Sequence, residues 1–410
     1  MDDWTFNGSS TREYTHVYHD YPARMIPQVA RKLIRTYGKN AQTLYDPYCG
    51  TGSSLVEGII EGLDVFGTDI NPLARLIAEA KTDYSMTIDD ISKEISSFRT
   101  FIHDSNGNVN IPPIKNMDTW FKKDVVQPLG RIRYYIDEIQ DIHIQRFFKI
   151  AFSETVRDSS NTRKGEFKLY RYASDKLQTY FPDPYSIMLS KLQRNFKGYI
   201  QFNEMISRLE SKPKATIIGL NSTSEIPCKE IPENSIDIVV TSPPYGDSHT
   251  TVAYGQYSRL SSEWLSLTNG ENIDNNLMGG KPLKTIPYLP SETINSIINI
   301  MFERNPKRAL EVAAFYCDLL SSINNVSKIV KEKGFVCYVV GNRTVNSLLL
   351  PTSTAIINFF EFNGFEYVTT HLREIPNKRM PSKNSPTNIA GETSKTMLNE
   401  HIVVMKKNKF

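Results

Sequence analysis

Two short runs of residues could carry chemistry by their types and spacing. The first is DPYCGTG, residues 46–52, which follows an apolar stretch and precedes a helical one. Glycines at 50 and 52 let backbone N–H groups approach a ligand closely, at the positive end of the following helix. Asp46, Tyr48, Cys49, Gly50, Thr51 and Gly52 are therefore candidate ligand contacts. Asp69 stands 17 residues beyond Gly52, ending a second apolar run, with Ile70 and Asn71 after it. An acidic residue there can accept hydrogen bonds from both ribose hydroxyls of an adenosine cofactor. Alternatively it caps the next helix with Asn71 and Pro72. The GxGxxG spacing of a pyrophosphate cradle is missing, which disfavours a dinucleotide. An adenosine with an uncharged or cationic tail fits better, and S-adenosyl-L-methionine is such a molecule.

The second run is TSPPYGD, residues 241–247, directly after the apolar stretch IDIVV. Two consecutive prolines fix the backbone and remove two N–H donors, so the loop presents carbonyl oxygens. The Ser242 hydroxyl and the Pro243 carbonyl, held rigid by Pro244, suit an exocyclic amine. Tyr245 offers a flat face for stacking a base, a contact worth about 1–3 kcal/mol. Taken alone, the string also reads as an extended turn; its place after a strand, beside the first motif, favours the catalytic reading.

The elements that must position these runs follow from periodicity. Residues 28–39 read as a helix stopped at Gly38, and residues 41–71 as strand, turn, helix (53–61, capped by Gly62) and strand. Amphipathic helical patterns dominate from about 88 to 212. Strand patterns resume at 215–220 and 235–240, then a helix at 309–331, a strand at 334–342, a helix at 351–363 and strands at 365–372 and 401–406. Residues 376–399, polar and with three prolines, read as a long loop. The expected fold is α/β, one sheet domain interrupted by a mostly helical one, with boundaries at 1–85, 86–212 and 213–410.

These residues resemble the S-adenosylmethionine-dependent DNA amino-methyltransferases, which modify exocyclic base nitrogens. DPYCGTG is similar to that family's cofactor loop, D-P-F-C-G-[ST]-G, and TSPPY to its catalytic motif, [DNS]-PP-[YFW]. Ser in the first place of the latter is more often associated with N4-cytosine enzymes, Asp or Asn with N6-adenine enzymes. THVYHDYPARMIP (15–27), with Tyr21 and Pro22, resembles the N-terminal motif beside the cofactor's methionine end. Where the third strand ends the family usually has an acidic residue; this chain has Asn221. The resemblance implies a Rossmann-like class I methyltransferase sheet and, from the motif order, an insert that recognises the target. It implies methylation of cytosine N4 in double-stranded DNA, catalysed by Ser242, Pro243, Pro244 and Tyr245, within a restriction-modification system whose endonuclease acts on the same site. An adenine-N6 DNA or RNA enzyme, or a non-catalytic nucleic-acid-binding subunit of the same fold, are the alternatives.

Charge supports the division of labour. The whole chain has 48 Lys+Arg against 45 Asp+Glu, whereas residues 86–212 have 20 against 16. The sharpest cluster, 156–176, sets Arg157, Arg163, Lys164, Lys168 and Arg171 among Phe167, Tyr170 and Tyr172, as phosphate and base contacts need. A plain solvated face is the competing reading. Lys378 and Arg379 are a second candidate DNA contact. His16 and His19 have HxxH spacing, but no further ligand cluster accompanies them, so packing or hydrogen bonding is expected and no metal site. The four cysteines are unpaired in spacing, which argues against a zinc ribbon or disulfide framework and for a reducing cytoplasm. The one Pro-Cys pair near the catalytic strand, Pro227–Cys228, precedes it, so a cytosine-C5 nucleophile is a poor reading. No apolar run of membrane-spanning length and no secretory h-region is present. Asp247 and Asp237 are the candidate acceptors of the released proton.

Overall fold

The computed structural model describes residues 3–22, 24–104, 107–166, 168–246, 254–268, 273–375, 383–384, 394–395 and 399–409. A 3-10 turn, Tyr14–Tyr18, leads into α1, Pro27–Tyr37, which starts on a proline suited to the first helical turn and ends with Gly38 N–H donating to Ile34 O. Then come β1 (Thr43–Asp46), α2 (Ser53–Ile60), β2 (Asp64–Thr68) and α3 (Pro72–Thr82). The αL residue Gly62 follows α2, and α3 is capped by the Asn71 side chain and started by Pro72. Six helices follow: α4 (Ile88–His103), α5 (Met117–Trp120), α6 (Lys123–Glu138), α7 (Ile142–Ser159), α8 (Ser174–Thr179) and α9 (Pro184–Ile206). The expected helical character of this stretch holds.

The sheet resumes with β3 (Ala215–Ile218) and β4 (Ile236–Thr241). Helices α10 (Tyr254–Trp264), α11 (Ile273–Asn276) and α12 (Glu292–Arg304) occupy a region the periodicity left unassigned. After α13 (Pro306–Ile329), β5 runs Val330–Gly341, starting earlier than the pattern suggested because Val330 already pairs with Ile236. A small hairpin of β6 (Arg343–Val345) and β7 (Leu348–Leu350), α14 (Thr352–Phe362), β8 (Phe365–Glu374), the two-residue β9 (Lys383–Asn384) and β10 (Ser394–Lys395), and β11 (Asn399–Lys407) complete the chain.

The seven-stranded sheet has the order β3-β2-β1-β4-β5-β11-β8. Its pairings are parallel except those of β11, which is antiparallel to both β5 and β8. The chain winds outward from β1 in one direction and from β4 in the other, so the switch point lies between those two strands. Ligands of such sheets bind beyond the carboxyl ends of the strands at that point. DPYCGTG leaves β1 and TSPPY leaves β4 there, side by side, with Leu44 paired to Ile238 and Tyr45 to Val239.

Apolar side chains on both faces of the sheet form two of the buried cores. A third is built by α4, α6, α7 and α9 together with Tyr18 and Tyr21 from the N-terminal segment, Leu73 and Ile77 from α3, and Leu260 and Trp264 from α10. The helices between β2 and β3 therefore share a core with elements beside the switch point. Among the described residues no helix is long and apolar enough to cross a membrane.

Candidate cofactor pocket and catalytic loop

The first motif is built around Asp46, which ends β1 almost fully buried. It accepts hydrogen bonds from Thr241 Oγ1 at 2.5 Å, from the Tyr48 N–H at 3.0 Å and from the Ser54 hydroxyl. Burial outweighs these donors and pushes its carboxyl up to about 6. Its bond to Thr241, the last residue of β4, joins the two loops at the switch point. Gly52 adopts φ +75°, and a side chain there would stand 3.1 Å from the Ala78 Cβ. Gly67 on β2 is needed for another reason: a Cβ would come within 2.7 Å of Leu55 and 3.0 Å of Cys49. The loop is thus pressed against β2, with Cys49 N–H donating to Thr68 O. Burial pushes the Cys49 thiol up, so it stays protonated.

Asp69 meets the same loop. Its Oδ2 accepts from Gly50 N–H at 3.0 Å and its Oδ1 from Asn71 N–H at 2.7 Å. The helix cap itself comes from Asn71, whose Oδ1 accepts from Leu73 N–H. A carboxylate has about four acceptor sites, so these two bonds leave acceptor capacity for a ligand. Burial raises the Asp69 pKa against these hydrogen bonds.

Loop and carboxylate line one cavity enclosing ≈ 950 Å³ including its open mouth. Tyr21, Pro22, Asp46, Tyr48, Cys49, Gly50, Thr51, Asp69, Ile70, Asn71, Asn221 and, from the second motif, Ser242 and Pro244 all line it. Gly52, Pro243 and Tyr245 do not; Gly52 shapes the turn, and Pro243 is buried. Asn221 donates to Asn276 O at 3.0 Å and accepts from Thr223. Thr51 Oγ1 is buried without a hydrogen-bond partner among the described residues. Arg24 of the N-terminal motif and, outside the motifs, Met278 and Tyr254 also form the wall. Arg24 lies two residues beyond Pro22 and its N-terminal motif was the available signal. Tyr254 had none: it is the first residue of α10, stacked on Tyr21 at 6.0 Å with 14° between the rings. Asn71 Nδ2 donates to Tyr21 OH at 2.8 Å and to Ser258 Oγ at 3.1 Å, binding the start of α3, the N-terminal motif and α10 together.

In the catalytic loop, the half-buried Tyr245 donates its hydroxyl to Glu400 Oε1 at 2.8 Å and receives a contact from Ser242 Oγ at 3.3 Å. Asp247 lies outside the described residues. Asp237 is corrected as a proton acceptor: it sits at the opposite end of β4, accepting from the Thr43 N–H and paired with Lys331 at 2.8 Å. At about 3.3 Å per residue, a strand's length separates it from Ser242.

His16 and His19 are buried next to the cavity. His16 Nε2 bonds Glu57 Oε1 at 2.9 Å, and Arg31 closes on the same carboxylate at 2.7 Å. Burial brings His16 down to about 4, so its ring is neutral at pH 7. His19 packs edge-on against Tyr257. Among the described residues no three His, Cys, Asp or Glu side chains converge as a metal site.

The basic cluster divides. An antiparallel bridge pairs Thr162 with Arg171, and Arg163, Lys164, Lys168 and Arg171 of this hairpin-like segment are exposed. Lys164 lies 5.5 Å from the Tyr180 ring. Arg157 stands apart, its guanidinium 3.9 Å over the Tyr257 ring and bonded to Glu166 O and Tyr257 O. Phe167, Lys378 and Arg379 lie outside the described residues.

A parallel sheet with one antiparallel strand, carrying a Gly-rich loop, an acidic residue after β2 and an acceptor loop after β4 around one cavity, is the class I methyltransferase fold. No family model matches the chain. It is 42% identical over 422 residues to the Type II methyltransferase M.MvaI of Kocuria varians, spanning 98% of this chain and 93% of that one. It is 33% identical over 84 residues to the Type II methyltransferase M.MjaII of Methanocaldococcus jannaschii, 19% of this chain and 16% of that one. The rRNA methyltransferase aviRa of Streptomyces viridochromogenes aligns with 95% of this chain and 89% of its own, at 8% identity and a TM-score of 0.36. By the full-length likeness, the chain belongs to the Type II methyltransferases.

Proposed function

We propose that the protein binds S-adenosyl-L-methionine in this cavity and methylates the exocyclic N4 amine of cytosine in double-stranded DNA. One observation carries the reading: Ser242 and Pro244 stand in the same cavity wall as Asp69 and Gly50. The donor set fits the cofactor. Asp69 retains acceptor capacity for ribose hydroxyls, Thr51 lines the cavity with a hydroxyl unpartnered among the described residues, and Arg24 supplies a cation for a carboxylate. When bound, the cofactor supplies an activated methyl group.

The target base leaves the duplex, at a cost of a few kcal/mol, because its amine is out of reach within the stack. Ser242 Oγ accepts from the amine at the cavity wall, Pro243 and Pro244 hold that serine's backbone rigid, and Tyr245 borders the base. Catalysis is then mainly positioning and stabilisation of charge growing on the amine. The exposed hairpin 161–172 holds phosphates. A restriction endonuclease reading the same site is the functional partner we infer, and the cytoplasm the setting. Ser242→Ala tests the assignment: methyl transfer should be lost while calorimetric cofactor affinity is kept, and wild-type turnover would remove Ser242 from the site.

A further inference from the structure

Tyr245 is held by a carboxylate that the chemistry above does not use. Glu400 opens β11, two strands from β4, and lies in register with Gly341 on β5 and Arg373 on β8. Directly opposed residues share a face, and Gly341 brings no side chain to it. Glu400 pairs with Arg373 through Oε2, and its Oε1 accepts from the Tyr245 hydroxyl at 2.8 Å. Arg373 is in turn fixed by Trp4 O at 3.1 Å.

These contacts have a forced direction. A carboxylate engaged by an arginine has only lone pairs to offer, so the phenol proton points at Glu400. Tyr245 has no second proton, so in its 3.3 Å contact with Ser242 the serine must donate. The contact is long for a hydroxyl pair, as catalytic hydrogen bonds often are before substrate binds. With its own proton committed, Ser242 Oγ turns only lone pairs to the cavity. Burial raises the Tyr245 pKa, which keeps the phenol protonated and the chain of hydrogen bonds intact at neutral pH.

We propose that Glu400 is a positioning residue for methyl transfer: through the Tyr245 hydroxyl it turns the Ser242 proton away from the cavity and leaves the serine oxygen an obligate acceptor for the target amine. A serine free to rotate would spend part of its time presenting a proton to an amine whose lone pair must face the methyl group. The inference rests on the reading of Ser242 given above.

The test uses single-turnover transfer from tritiated S-adenosylmethionine to unmethylated plasmid DNA. Tyr245→Phe keeps the ring and removes the link; Glu400→Gln keeps the shape but lets the amide donate to the phenol. Each should slow transfer about tenfold or more, the scale of one hydrogen bond, with cofactor affinity within about twofold of wild type. The double variant should be no slower than the slower single one, because the chain is broken once. Glu400→Asp, which keeps the charge, should recover part of the rate. Unchanged transfer in Tyr245→Phe, losses that multiply in the double variant, or a loss confined to cofactor affinity would each overturn the role of Glu400. If Ser242→Ala is inactive while Tyr245→Phe turns over normally, only this inference falls; if Ser242→Ala is active, the assignment of the loop falls with it.

Discussion

Thr241 Oγ1 donates to Asp46 at 2.5 Å, so the ends of β1 and β4, and the loops that leave them, are held together by one buried carboxyl. Burial lifts that carboxyl from 3.8 to about 6 in the folded state. A raised acid favours folding while protonated. Its contribution is therefore complete below about pH 4, falls as pH rises, and is fully lost above about pH 6. The loss is about 3 kcal/mol, a tenfold change in proton affinity being worth about 1.4 kcal/mol. Urea unfolding of wild type and Asp46→Asn from pH 4 to 7 checks this: the variant should lack that part of the slope. Parallel curves would refute it.

Asp69 is committed on one side to the Gly50 and Asn71 N–H groups and open to the cavity on the other. Asp69→Ala should weaken S-adenosylmethionine binding roughly tenfold to hundredfold, the cost of charge-assisted hydrogen bonds. Isothermal calorimetry reads this directly, and an unchanged affinity would refute the ribose role.

Glu57 is fully buried between His16 and Arg31. Removing the guanidinium in Arg31→Met strands the carboxylate beside a neutral imidazole and should cost roughly 3–5 kcal/mol. Glu57→Gln, which removes the charge, should cost less. Equal losses in chemical denaturation would show that the charge is not what Arg31 compensates.

Arg163 and Lys164 are exposed on the hairpin, whereas Arg157 is spent on Tyr257 and Glu166. Changing Arg163 and Lys164 together to Gln should weaken DNA binding and reduce the slope of log K against log salt by about 2. Arg157→Gln should instead lower the melting temperature. An unaltered slope in the double variant would place phosphate contacts elsewhere.

The cofactor half of the site was legible because its signals are local. Glycines at 50 and 52 mark a turn between an apolar run and a helix, and Asp69 ends the next run. The catalytic loop was legible for the same reason, two prolines following IDIVV. What was hidden is what the fold brings from afar. Tyr254 reaches the cavity from a helix whose buried Ser258, Ser261 and Ser262 blur its apolar stripe. Glu400 lies 155 residues from Tyr245 and meets it only across β5. Arg157 reads as one more basic residue until Tyr257 is seen beneath it. Asp237 shows the converse error: it is close to Ser242 in sequence and at the far end of the strand in space.

The central claim, that Ser242 and its neighbours hold a cytosine amine, is tested most directly by the product. Unmethylated plasmid DNA is incubated with the protein and tritiated S-adenosylmethionine, digested to nucleosides and resolved by chromatography. The label should run with N4-methylcytidine in its deoxy form. Label in N6-methyladenine or 5-methylcytosine nucleosides, or none in DNA, would contradict it.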